Sequence, residues 1–292
     1  MKPSSFVYHR PATIEEALEV LAEVGSDGKV LAGGQSLVPL MSMRLAAPGH
    51  VVDVNWIDGL GGVRTNASGV HVGATARHAD VEHDEAAYAA VPLLRQALRH
   101  VAHPTIRNRG TTVGSLAHAD PSGEMTAVLA LLNGSVTLRR RGAERVVSAS
   151  TFFLGPLESA VQPDEIAVEA FFPAPDARTG TAWVEVARRH GDYAVCGVGA
   201  LVRLDANERV ESAQVGLISV GPTPVVVDVS EALTGQRHDA VDAAAAGRQV
   251  TDAVDPESDI HATAEYRRNL AGMLTARAVT AAAAWAGGTL GD

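Results

Sequence analysis

Residues 103–124 read HPTIRNRGTTVGSLAHADPSGE and constrain the fold more than any other stretch of the chain. They hold Gly110, Gly114 and Gly123, hydroxyls at Thr105, Thr111, Thr112, Ser115 and Ser122, and few long apolar side chains. Such a segment is poor core material. Glycine permits positive φ and close backbone approach, and unpaired N–H groups beside short hydroxyls make a donor surface suited to phosphate or pyrophosphate. Taken alone, the segment reads first as a long surface loop.

A second glycine segment shifts that reading. Leu31 to Leu37, LAGGQSL, follows the apolar run Lys29-Val30-Leu31 and precedes Val38-Pro39-Leu40-Met41. Strand, glycine turn and helix start form a phosphate-facing geometry. The segment is not a Rossmann G-x-G-x-x-G fingerprint, and the chain contains no G-x-x-x-x-G-K-[ST] P-loop. Two such segments in one chain point to a dinucleotide.

Local signals place these segments among ordinary elements. Thr13 and Glu16 form a capping box for a helix over 13–24, with Ile14, Ala17, Leu18, Leu21 and Val24 on one face and Gly25 as the stop. The spacing predicts a strand at 29–31, a helix over 36–45 with Pro39 in its first turn, and a strand over 51–54. Further on it predicts a strand over 70–74, a short helix over 79–83 capped by Thr75, and a helix over 91–101. Met125 to Leu132 reads as a buried helix with Glu124 at its positive end. A hairpin turns at Gly142, and a strand over 165–172 runs into Pro173. Pro173-Ala174-Pro175-Asp176, followed by Gly180, reads as a linker. Beyond it come antiparallel strands over 182–188, 195–204 and 209–220, then helices over 239–254 and 264–285. The last helix is expected to bury Tyr266, Leu270, Met273, Leu274 and Ala278.

Composition closes off several function classes. A net charge of −10 disfavours nucleic acid and anionic membrane surfaces. The one cysteine, Cys196, cannot form an intrachain disulfide or hold an iron–sulfur cluster. The pairs His100/His103 and His118/Asp120 complete no metal-ligand pattern, and Ser36 and Ser115 lie beside glycines without matching G-x-S-x-G. The Arg139-Arg140-Arg141 run reads as charge on a hairpin edge. No signal-type apolar segment opens the chain, so a cytoplasmic protein without membrane insertion is expected.

Ala32-Gly33-Gly34-Gln35-Ser36, Ile106-Arg107-Asn108-Arg109-Gly110-Thr111 and Gly114-Ser115-Leu116-Ala117-His118-Ala119-Asp120-Pro121 resemble the FAD-binding medium subunits of molybdenum hydroxylases. The likeness runs from Phe6-Val7-Tyr8 to Tyr266-Arg267-Arg268. It implies an α+β fold: a two-lobed FAD-binding domain of the vanillyl-alcohol-oxidase/PCMH type over 1–175, with lobes at about 1–58 and 59–175, then a C-terminal domain of antiparallel sheet and helices over 176–292. It implies non-covalent FAD on this chain. Molybdopterin and [2Fe-2S] clusters would sit in a large and an iron–sulfur small partner subunit. The chain would accept electrons from those clusters and pass them to an external acceptor, with no catalytic acid or base of its own.

The resemblance also implies site residues. Ala32, Gly33, Gly34, Gln35, Ser36 and Leu37 would bind one end of the pyrophosphate, and Thr111, Thr112, Val113, Gly114 and Ser115 the other. Glu124 would accept hydrogen bonds from sugar hydroxyls, Ile166 would line the flavin, and Tyr193, in the Gly191-Asp192-Tyr193 segment, would stack beside the ring. The family pattern Thr-Ile-Gly-Gly-Ser reads Thr111-Thr112-Val113-Gly114-Ser115 here. Valine avoids positive φ and projects a Cβ toward whatever the loop approaches, so glycine at 113 is expected to tighten FAD. The alternatives are a stand-alone FAD-dependent oxidoreductase and a cofactor-free structural or assembly protein on the same scaffold.

Overall fold

Thr13 opens the first helix as its side chain predicts. In the computed structural model, which describes residues 2–288, the Glu16 N–H donates to Thr13 Oγ1 at 3.2 Å. The Glu16 carboxylate accepts from the Ala12 N–H at 2.7 Å, one residue earlier than a strict capping box. This helix, α1 (Ile14–Val24), buries Ile14, Ala17, Leu18 and Leu21, and each large side chain contributes about 1.5–3 kcal/mol. Gly25, at φ 55°, ends it. The helix is the crossover between β1 (Val7–His9) and β2 (Gly28–Leu31), which both pair parallel to β3 (His50–Asp53). Between β2 and β3 lies α2 (Leu37–Ser42), shorter than the 36–45 expected. Arg44 takes φ 59°, so the Leu45 N–H folds back onto the Leu40 carbonyl and closes the helix.

The second lobe is a five-stranded antiparallel sheet carrying helices. Its first strands are β4 (Val63–Asn66) and β5 (Gly69–Gly73). Next come α3 (His78–His83), α4 (Glu85–Ala90), α5 (Pro92–Leu98), α6 (Pro104–Arg107), α7 (Thr112–His118) and α8 (Glu124–Leu131). The hairpin β6 (Ser135–Arg140) and β7 (Ala143–Ser148) turns at Gly142, φ 72°. After α9 (Ala149–Phe152), β8 (Phe153–Gly155) and β9 (Glu158–Ser159), β10 (Ile166–Pro173) enters the middle of the sheet, in the order β4-β5-β10-β6-β7.

Three expectations change here. The helix after β5 starts at His78 rather than beneath Thr75, because the Asp80 carboxylate holds the Arg77 N–H at 2.8 Å. α5 stops at Leu98, short of Val101. The glycine-rich stretch is mostly helical: Pro104 starts α6 behind an extended His103, and Thr111 caps α7. Ala119, left-handed at φ 52°, ends α7. One or two apolar side chains per turn, chiefly Val113 and Leu116, suffice to dock so short a helix.

The third layer is the antiparallel sheet of β11 (Thr179–Ala187), β12 (Ala194–Leu204), β13 (Val210–Ile218) and β14 (Val225–Asp228). One face packs on α8, whose sides are nearly all buried; Gly216 lets the Leu131 Cβ approach to 3.0 Å of its ideal Cβ position. After the short α10 (Ser230–Leu233) and α11 (Ala243–Ala253), α12 (Ala264–Ala286) covers the other face, with α11 packed against α12. Gly180 lies inside β11 and not in a linker, since a Cβ there would sit 1.9 Å from the Ala282 carbonyl oxygen. The link itself is 174–178. α12 buries Leu270, Leu274 and Ala278 as the pattern requires, but Tyr266 and Met273 are exposed. Arg267 decides the roll: its guanidinium is buried and donates to the Val195 and Ser219 carbonyls at 2.8 and 3.0 Å and to Asp259 at 2.7 Å. Trp183, Ala194 and Ile218 join the main core of the second lobe, so the last sheet and that lobe share one interior. The expected outer bounds at residues 1 and 292 lie outside the described residues.

Candidate functional site

The two glycine segments touch backbone to backbone. A Cβ on Gly33 would lie 2.6 Å from the Arg109 carbonyl oxygen and from Gly110 Cα, and 2.8 Å from the Thr111 nitrogen. Only glycine allows that approach. Gly34 turns the chain at φ 73°, a left-handed conformation costly to other residues, and Gln35 Nε2 donates to the Gly33 carbonyl at 2.9 Å. Among the described residues the N–H groups of Gly33, Gly34, Gln35 and Ser36 have no protein acceptor. The first three of these residues border a hollow of about 390 Å³ lined by Leu31 to Gln35, Val38, Pro39, Asp53, Asn55 and Arg109. A larger hollow, about 610 Å³, lies between α1 and the β6–β7 hairpin; its walls carry charges of both signs and neither glycine segment. Donor chemistry, not size, marks the smaller one.

Asp53 and Asn55 hold the first segment from below. Asn55 Nδ2 donates to the Ala32 carbonyl at 2.8 Å and to Asp53 Oδ1 at 2.6 Å. Burial alone would raise the Asp53 carboxyl. The hydrogen bonds from Tyr8, Asn55 and Trp56 outweigh it and keep the group below its ordinary range. On the facing lobe, Arg77 Nη2 reaches Asn55 Oδ1 at 2.7 Å and Nη1 reaches the Arg109 carbonyl at 2.6 Å. The Arg109 side chain is exposed and has no protein partner among the described residues.

The second segment is fixed from inside. Thr111 Oγ1 accepts from the Gly114 N–H at 3.2 Å, and a Cβ on Gly114 would fall 2.4 Å from that oxygen. Glycine at 114 thus serves the cap. Thr112 is fully buried, its N–H on the Ala76 carbonyl at 3.3 Å and its hydroxyl 3.1 Å from His78 Nδ1. Burial, with the Arg107 charge added, pushes His78 down to about 4. Arg107 is itself buried against Glu82 at 2.6 Å. Val113 corrects the sequence reading: it is helical, takes no positive φ, and its side chain is 2% exposed within the main core. It projects no Cβ toward the hollow.

The remaining expected residues divide. Glu124 begins α8 buried at 9% exposure; desolvation first, then the charges of Glu185 and Asp120, raise its carboxyl. Glu185, on β11, is also raised by burial, against the hydrogen bond from Trp183 Nε1 at 3.2 Å. A buried and a half-buried carboxyl that repel one another favour holding a proton. The Tyr193 ring is 70% exposed, and its hydroxyl is raised by partial desolvation and then by Asp120, Glu124 and Asp192. The turn that carries it rests on the first residue of the glycine-rich stretch, since a Cβ on Gly191 would meet the His103 ring at 2.5 Å. Tyr193 and Glu124 therefore share a neighbourhood. Ile166 does not join them: its side chain is 2% exposed in the first lobe's core with Ile14, Leu18 and Leu21.

Residues 4–175 match the family described as the FAD binding domain in molybdopterin dehydrogenase. The chain belongs to this family. Residues 181–282 match the CO dehydrogenase flavoprotein C-terminal domain. Caffeine dehydrogenase subunit beta from Pseudomonas sp. (strain CBB1) is 39% identical over 286 residues, 97% of this chain and 96% of that protein. A carbon monoxide dehydrogenase from Hydrogenophaga pseudoflava, lacking the Mo-pyranopterin moiety of its molybdenum cofactor, superposes at TM-score 0.91 with 34% identity. Quinoline 2-oxidoreductase from Pseudomonas putida 86 superposes at TM-score 0.92, also at 34% identity. Each structural match covers 98% of this chain and 99% of the other. Membership of the FAD-binding family makes this an oxidoreductase flavoprotein of α+β fold. No helix among the described residues is long and apolar enough to cross a membrane.

Sequence reasoning passed over Asp53, Asn55, Arg77, Arg109 and Glu185. For Asp53 and Asn55 the local signal was polar residues closing an apolar run, Val51-Val52-Asp53-Val54-Asn55, and such a run closes many strands, while Arg109 stood within the Ile106 to Thr111 motif without a role of its own.

Proposed function

We propose that this chain is the FAD-carrying subunit of a multi-subunit molybdenum hydroxylase, taking electrons from a partner's iron–sulfur clusters and handing them to an external acceptor. The observation that carries the reading is the contact of Gly33 with Arg109 to Thr111, which leaves a row of unpaired N–H donors facing a hollow beside the Arg109 guanidinium. That donor set fits a pyrophosphate. Ala32 to Leu37 would hold one end of it. Thr111, Gly114 and Ser115 would hold the other, with Thr112 and Val113 contributing backbone only. Glu124 would meet sugar hydroxyls, and Tyr193 would lie beside the flavin ring.

FAD, when bound, supplies the electron chemistry. The protein's own residues bind and orient it. Cys196 is fully buried, and burial pushes its thiol up to about 12, so this chain offers no thiolate to a cluster. Electrons must come from another polypeptide, here an iron–sulfur small subunit, with a molybdopterin large subunit beyond it. The cytoplasm is the proposed compartment, to be checked by fractionation. The functional test is purification from the native host: the chain should bring down two further subunits and carry flavin absorbance. A lone chain that turns over substrate at the full rate of the native preparation would overturn the reading.

A further inference from the structure

We propose that Arg77 is a positioning residue for the flavin site, acting with Asn55 as a clamp across the two lobes. The inference rests on the functional reading above and adds to it a part that touches no cofactor. Arg77 precedes α3 in the second lobe; Asn55 follows β3 in the first. Its guanidinium spans both, Nη2 on Asn55 Oδ1 at 2.7 Å and Nη1 on the Arg109 carbonyl at 2.6 Å. Asn55 passes the connection on through Nδ2 to the Ala32 carbonyl at 2.8 Å. One chain of hydrogen bonds thus ties the carbonyl before Gly33 to the carbonyl before Gly110, the two places where the glycine segments meet.

The consequence for binding follows from peptide geometry. In a trans peptide the C=O and the following N–H point in opposite directions. Anchoring the Ala32 carbonyl on Asn55 aims the Gly33 N–H away from Asn55, and that N–H is one of the donors with no protein partner among the described residues. The planar fork of arginine suits the task, since two acceptors must be held at once at a fixed spacing. Lysine could reach one acceptor at a time. Asp53 makes the platform rigid, receiving Asn55 through both its backbone and side-chain N–H groups.

The experiment uses the full-length chain freed of flavin and titrated with FAD, following flavin fluorescence, for wild type, Arg77→Ala, Arg77→Lys, Asn55→Leu and the double variant Arg77→Ala/Asn55→Leu. Arg77→Ala should bind about 10- to 100-fold more weakly, the size expected for losing two charge-assisted hydrogen bonds. Arg77→Lys should fall between Arg77→Ala and wild type. The double variant should lose less than the product of the single losses, because both residues belong to one chain of bonds. Millimolar guanidinium should restore part of the Arg77→Ala affinity, a response that a merely destabilised fold would not give. Should Arg77→Ala not fold, Arg77→Lys and Asn55→Leu decide the matter by the same titration. Wild-type affinity in the Arg77 variants, or independent losses in the double variant, would overturn the clamp while leaving the FAD assignment intact. Absence of FAD binding in wild type would sink both.

Discussion

Val113→Gly sets the sequence reading against the fold. From the motif alone, glycine at this position should relieve a clash and tighten FAD. In the structure the valine side chain is 2% exposed and packs in the main core from the first turns of α7. Removing it forfeits about 1.5–3 kcal/mol of apolar burial. Glycine in a helix interior costs a few tenths more than valine, and incomplete collapse of the cavity adds to the loss. The total is about 3 kcal/mol, a fall in Tm of roughly 6–12 °C for a folding unit of this size. Val113→Ala should cost about 2 kcal/mol and locate the effect in packing. Thermal melts by far-UV circular dichroism on the flavin-free chain, paired with FAD titration, measure both quantities. A Val113→Gly chain that melts like wild type and binds FAD more tightly would show that Val113 faces the cofactor.

Other expectations follow from the same geometry. Gly33→Ala must part the two segments by about 0.8 Å to reach ordinary contact, at a cost of about 1–3 kcal/mol, and should weaken FAD at least tenfold; unchanged melting and titration would deny the contact. His78, held near 4 and so neutral when folded, gains a proton on unfolding below about pH 6.5. Its contribution is therefore complete above that pH and declines toward pH 4, by about 2 kcal/mol at pH 5. Denaturant melts at pH 7 and pH 5 should show this slope in wild type and lose it in His78→Gln; equal slopes would refute it. Glu124 and Glu185 are shifted the other way, so the folded chain holds more protons than the unfolded one between their ordinary range and about pH 8, and stability declines as pH rises through that window. Glu185→Gln should accordingly raise Tm at pH 8 and leave it unchanged at pH 5, and a flat response at both pH values would remove the carboxyl pair from the account.

Much of the secondary structure could be read because its signals are short-range. Thr13 and Glu16 act within one helical turn, Gly142 within one hairpin, and the strands of the last sheet within their own apolar runs. Failures came where a distant partner decided. Tyr266 and Met273 look like members of the α12 stripe until Arg267 reaches the Val195 and Ser219 carbonyls and fixes the helix's roll. Gly180 looks like a linker glycine until α12 is laid across it. Ile166 follows the strand pattern, but that its side chain packs with Ile14, Leu18 and Leu21 of α1 was set by the docking of the lobes.

From sequence alone came the two glycine segments, their order along the chain, and hence the flavoprotein family with FAD as its cofactor. Those features are local strings, and a backbone that needs left-handed turns and free donors leaves its mark in residue type. Tertiary packing alone decided that Val113 turns inward, and that Arg77 meets Asn55, 22 residues away, and Arg109, 32 residues away. A side chain's partners across the chain depend on how whole lobes dock, and no periodicity of a few residues records that.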